Sequence, residues 1–149
     1  MRLIGLLTGL FLTLWVAPAF GAETLLCDYK VKFKDGGSRD AGLELTVEGG
    51  EVTAISYYNG IASGKEGGGY ICAFDASVCD GESTWTRKKH QTFVELKGDR
   101  KSTFEIRKSK KGFMILFLEM SSEYCGFGAE FPEYILLDKG SKKCRVKFY

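Results

Sequence analysis

Apolar and polar side chains alternate along most of the chain. Over residues 24–34, Cys27, Tyr29, Val31 and Phe33 share one parity, and Asp28, Lys30, Lys32 and Lys34 share the other. A period of two with one charged side marks a strand with one buried face and one wet face. Leu43, Leu45 and Val47 repeat the pattern against Glu44, Thr46 and Glu48, and Gly49-Gly50 predicts a turn into a strand over 52–58. Further strand-like runs cover 70–74, 92–97, 102–108, 113–120, 134–137 and 144–148. Turn signals separate the runs: Asp35-Gly36-Gly37, Asn59-Gly60, Gly98-Asp99, Lys111-Gly112 and Asp138-Lys139-Gly140. The run from Phe113 to Leu118 is apolar on both parities, which predicts a central strand or one covered by a loop. Apolar residues nowhere keep helical spacing over three turns. The pattern predicts an all-β fold, a small antiparallel barrel or sandwich of about eight strands.

The first residues depart from this pattern. Arg2 precedes an apolar run of 14 residues, Leu3 to Val16, and Ala19 and Gly21 stand at −3 and −1 of a cut before Ala22. This is the layout of a cleaved export signal. As a helix the run would rise about 21 Å, short of the roughly 30 Å hydrocarbon core of a bilayer. The expected organisation is therefore a signal peptide at 1–21 and a single β domain at 22–149, periplasmic or secreted and without a transmembrane anchor. Leu26 before Cys27 is too large for lipid attachment at that cysteine. The only Asn, Asn59, precedes Gly60 and Ile61, so no glycosylation sequon exists.

Export changes the reading of the five cysteines, Cys27, Cys72, Cys79, Cys125 and Cys144. In an oxidising compartment disulfides are expected, and five cysteines allow fifteen arrangements of two bridges. Cys72–Cys79 closes the shortest loop, worth about 2.5 kcal/mol by loop-closure entropy, and Cys125–Cys144 would add about 3.3 kcal/mol. That choice leaves Cys27 as a buried thiol. The alternative joins Cys27 to Cys144, whose parities both point inward, and ties the first strand to the last. Without a CxxC pair, and with a single His, zinc is not expected.

Charge adds a second feature. Residues 87–111 hold ten Lys and Arg against three acids, residues 22–86 hold five against eleven, and residues 112–149 balance at five each. The exported part thus carries a net +1, which is not a nucleic-acid composition. The 87–111 stretch is either a set of alternating solvated strand faces or a surface for an anionic glycan or lipid.

Catalytic chemistry has little support. His90 lies among Arg87, Lys88, Lys89 and Gln91, and reads as a solvent-facing loop residue; pairings with Cys27, Ser83 or Ser102 lack a nucleophile motif. Glu119, Glu123, Glu130 and Glu133 could supply the two facing acids of a small hydrolase only if the fold opposed two of them. Residues 59–69 contain five glycines, but Lys65 is followed by Glu66 and the phosphate-loop spacing fails. This segment reads as a recognition loop or a connector. In 122–132, Tyr124, Phe127 and Phe131 read as caps on the end of the core.

Cys27, Ser63-Gly64, Tyr70, Trp85 and Cys144 follow one another in an order that resembles exported bacterial C-type lysozyme inhibitors of the membrane-bound and periplasmic kind. Here Tyr70 follows Ser63 by seven residues, so the loop is longer by Lys65 to Gly69. The resemblance implies a small antiparallel barrel that inserts this loop into a lysozyme cleft. The partner-binding residues would be Ser63, Gly64 and Tyr70, with Lys65 standing in for the family's lysine. The expected protein is a non-enzymatic binder that occludes a partner's site and uses no cofactor. Its partner would be a protein such as lysozyme, or alternatively an anionic envelope component met by residues 87–111.

Overall fold

The computed structural model describes residues 21–34, 36–62, 69–98, 100–126 and 130–148, apart from the side chains of Gly69 and Tyr70. The expected signal peptide therefore lies outside the described residues, except for Gly21. The described chain forms ten strands: β1 (Glu23–Lys32), β2 (Ser38–Glu48), β3 (Glu51–Ala62), β4 (Gly69–Ser77), β5 (Ser83–Lys88), β6 (Gln91–Leu96), β7 (Ser102–Lys108), β8 (Gly112–Glu119), β9 (Tyr134–Asp138) and β10 (Arg145–Lys147). A single 3-10 turn, Ser122–Tyr124, interrupts them.

The strands make two antiparallel meanders, a four-stranded sheet ordered β1-β2-β3-β4 and a six-stranded sheet ordered β10-β9-β8-β7-β6-β5. The fold is a two-sheet sandwich rather than a closed barrel. Each sheet collects one contiguous half of the chain, because strands consecutive in sequence pair with each other within it. The Gly49-Gly50 turn has φ of 57° and 80°, the left-handed pair that a tight two-residue hairpin demands.

Period-two alternation translates directly into the interior. Leu43, Leu45 and Val47 of β2, Ile55 and Tyr57 of β3, Phe104 and Ile106 of β7, Phe113, Ile115 and Phe117 of β8, and Ile135 and Leu137 of β9 are all buried between the sheets. Tyr57, Phe74, Phe104, Phe117 and Phe131 form a connected aromatic centre, with Phe74 to Phe104 at 5.2 Å and Tyr57 to Phe117 at 5.3 Å between ring centroids. Burying a side chain such as Phe104, which is wholly inaccessible, stabilises the fold by about 2–3 kcal/mol. The apolar run in β8 is a central strand, paired on both sides with β7 and β9. Gly112 opens it where a Cβ would stand 2.0 Å from the Leu137 carbonyl oxygen, so only glycine lets the strands close there.

Three sequence expectations are corrected. Asn59-Gly60 is not a turn: Asn59 pairs with Ala41 and Cys72 in mid-strand, and its side chain is fully buried because Glu130 accepts its amide hydrogen. Residues 83–88 form an additional edge strand, β5, whose residues are exposed or half-buried and so lack a clean apolar face. Finally, the bridges are Cys27–Cys144 and Cys72–Cys125. The expected Cys72–Cys79 and Cys125–Cys144 pairs are absent, and Cys79 is an exposed free thiol. The alternative pairing of Cys27 with Cys144 is the one that forms.

The physical reason lies in sheet geometry. Cys72 points inward from β4, whereas Cys79 lies beyond the strand's end in an exposed turn. That turn is organised by Asp80, whose carboxylate accepts from the backbone N–H groups of Ser77, Glu82 and Ser83 and from the Ser83 hydroxyl. Slight desolvation pushes the Asp80 carboxyl upward, but these hydrogen bonds outweigh it and hold it below the usual carboxylate value. Each bridge links one sheet to the other half of the chain. Cys27 of β1 meets the segment just before β10, and Cys72 of β4 meets the segment between β8 and β9.

Candidate functional site

The hairpin β3–β4 carries the loop singled out by the sequence. Its last register pair is Ala62 with Gly69. Ser63, Gly64 and Lys65 lie outside the described residues. The backbone of Tyr70 pairs with Ile61, and its side chain is likewise outside the description.

The base of this hairpin is held from several directions. Asn59 donates to the Glu130 carbonyl at 2.9 Å, and Gly126 N–H donates to the Ile71 carbonyl at 2.7 Å. The Cys72–Cys125 bridge lies beside that last contact. From β2, Arg39 reaches the Glu130 carboxylate at 3.5 Å and lays its guanidinium 3.8 Å from the centre of the Phe148 ring. Strand, disulfide and cross-sheet hydrogen bonds thus fix the ground from which residues 63–68 depart.

Beneath this base is a buried polar group. The Arg39 Nε, the Tyr57 hydroxyl and the Asn59 Oδ1 are all buried and have no hydrogen-bond partner among the described residues. Burial pushes the Tyr57 hydroxyl far above the usual tyrosine value, against the opposing pull of Arg39 and of the neighbouring Asn59 side chain. On the outer face near the same hairpin, Ile71 and Tyr58 are 60% and 48% exposed. Tyr58 rests over Gly42, where a Cβ would strike its ring. Sequence reasoning missed Arg39, Tyr58 and Ile71, and took Asn59 for a turn and loop residue rather than a buried strand residue. Strand parity could have found Tyr58, since it opposes the buried Tyr57, but the contact of Arg39 with residues 130 and 148 has no local signature.

The basic stretch 87–111 does not form one patch. Lys97, Arg100 and Lys101 belong to the β6–β7 connection, while Lys89, Lys110 and Lys111 belong to turns at the opposite ends of those strands, next to Lys88 and Lys108 at the ends of β5 and β7. Several charges are engaged: Arg107 makes a forked contact of 2.6 and 2.9 Å with the buried Glu105, and Lys108 pairs with Glu51 at 3.2 Å. The strands therefore carry some of these charges as ordinary solvated faces, Arg87 and Lys88 of β5 among them, and the turns gather others that have no ion-pair partner among the described residues.

Acid–base and nucleophilic groupings are not assembled by the described residues. His90 is exposed in the β5–β6 turn. Cys27 is a disulfide sulfur, the Ser102 hydroxyl accepts from Ser121 N–H, and the Ser83 hydroxyl is held by Asp80 and the Ser77 carbonyl. Glu130 faces Arg39 and Glu133 pairs with Lys147. A groove of about 280 Å³ between Phe117, Met120, Ser121, Phe131 and Pro132 includes one acid, Glu130, rather than a facing pair. Tyr124 packs against the core from its edge, whereas Phe131, expected as a cap, is part of the aromatic centre itself; Phe127 lies outside the described residues.

Two disulfides are of the kind that persists in an oxidising environment, and no helix among the described residues is long and apolar enough to cross a membrane. No family model, curated protein or solved structure matches the chain.

Proposed function

We propose that the chain is an exported, non-enzymatic binding protein, periplasmic or secreted, that occludes a partner's site with the β3–β4 hairpin. A lysozyme is the partner implied by the sequence resemblance. The observation that carries this reading is the braced hairpin base: Asn59 to Glu130, Ile71 to Gly126 and Cys72–Cys125 all converge on it. A loop that enters a cleft gains affinity when its ordering is done before binding, and a cross-linked base removes part of that entropic cost. Ile71 and Tyr58 add exposed apolar area beside the entering segment. Ser63 and Lys65 would then meet carboxylates in the cleft through charge-assisted hydrogen bonds.

The test is lysozyme turnover on cell-wall substrate in the presence of the purified protein. Inhibition of a C-, G- or I-type enzyme at micromolar protein is expected, weakened at least tenfold by the Ser63→Ala, Lys65→Ala double variant. Undiminished turnover of all three enzyme types would end this reading.

A further inference from the structure

The hairpin turns of the six-stranded sheet contain a feature that no single sequence stretch displays. In a meander, alternate turns fall at the same end of the sheet. The β5–β6, β7–β8 and β9–β10 turns therefore share one end, and backbone hydrogen bonds join them in sequence. Lys108 N–H donates to the His90 carbonyl at 3.0 Å, and Lys139 N–H donates to the Lys111 carbonyl at 2.8 Å. Lys89, Lys110, Lys111, Lys139, Lys142 and Lys143 are exposed on these turns and have no ion-pair partner among the described residues. Half of them come from residues 139–143, inside the 112–149 stretch whose overall charge balance hides them.

The acids that reach this end leave the field positive. Asp138 is held by Arg145 at 2.9 Å, and Glu51 is held by Lys108. Asp28 lines the same surface depression as Lys142 and Lys143. With strands about 4.8 Å apart, the three turns span about 19 Å from first to last. The result is a narrow row of positive charge, one sheet thick.

We propose that this row binds a linear anionic glycan lying across the three turns. A row matches a chain better than it matches a plane. The turns also offer no large apolar side chain to enter a bilayer, and their one ring is the His90 imidazole, with no Phe, Tyr or Trp on which a base would stack. The six lysines act as point charges toward carboxylate, sulfate or phosphate groups, so affinity depends on ionic strength more than on sugar identity. The inference is independent of the hairpin reading, since the two surfaces share no residue.

The experiment measures binding of fluorescent heparin oligosaccharides and of polygalacturonate to the full exported chain at 50 and 200 mM NaCl. Binding at low salt, weakened at least about tenfold at the higher salt, is expected. A variant with one change per turn, Lys89→Gln, Lys111→Gln and Lys142→Gln, should lose at least tenfold. A charge-matched control, Lys32→Gln, Arg100→Gln and Lys101→Gln, should lose less than threefold. Unfolding curves of both variants should overlay the parent, because every change is exposed. Equal losses in both variants would reduce the effect to net charge and overturn the proposal. Absence of glycan binding, or preference for vesicles with 30% phosphatidylglycerol or for duplex DNA over either glycan, would overturn it as well.

Discussion

Removing the Cys72–Cys125 bridge separates the observed cysteine pairing from its rivals. The bridge spans 53 residues, and loop-closure entropy makes such a cross-link worth about 4.2 kcal/mol. That figure is an upper one, since Cys27–Cys144, spanning 117 residues, already confines the unfolded chain around it. A loss of about 3–4 kcal/mol is expected for the Cys72→Ala, Cys125→Ala double variant. For a domain near this size that corresponds to a fall in Tm of roughly 10–20 °C. Alanine is the right replacement because Cys72 is wholly buried and a serine hydroxyl there would need a partner. Cys79→Ser is the matched control: the thiol is exposed and unbridged, so its loss should change stability by less than about 0.5 kcal/mol. Thermal and urea unfolding of the oxidised proteins, with disulfide mapping of the parent, measure both effects. A Cys79→Ser variant as destabilised as the double variant, or a proteolytic peptide joining Cys72 to Cys79, would refute the reasoning.

Two further outcomes follow from side-chain networks. Arg107→Ala strands the Glu105 carboxylate, which is 3% exposed, and should lower the urea midpoint, whereas Glu105→Leu, between Phe93 and Leu116, should leave the midpoint closer to the parent's. Asp80 titrates below its ordinary value in the folded state, so it stabilises the fold above about pH 4, and that contribution disappears as pH falls through the lowered folded value. Asp80→Asn should therefore be less stable than the parent at pH 7, with the gap narrowing below about pH 4; a gap that stays constant to pH 2.5 would contradict the hydrogen-bonding assignment.

The sheet class was legible because alternation is a local signal and the strands obey it. Cys27, Leu45, Tyr57 and Ile115 all point where their parity directs them. The disulfides were not legible, because the preference for a short loop counts entropy alone and ignores which way each strand presents its sulfur. Asn59-Gly60 misled for a related reason: a turn-forming pair becomes a strand pair when a carbonyl 71 residues away accepts the amide. Strand β5 escaped notice because an edge strand has no fully buried face to enforce alternation. The lysine row was half-visible. The 87–111 stretch advertised positive charge, but only the meander distributes it between two sheet ends and brings 139–143 alongside. For the hairpin, the glycine-rich segment was conspicuous, whereas the bracing by Arg39, Asn59 and Cys125 depends on residues from three distant parts of the chain.

The Cys27–Cys144 bridge has a consequence for survival among proteases. A single peptide-bond cut anywhere between those two cysteines leaves both fragments covalently attached to each other. The nicked molecule would run as one species on a gel until a reductant is added, and its halves would re-form contacts at the high effective concentration that the tether maintains.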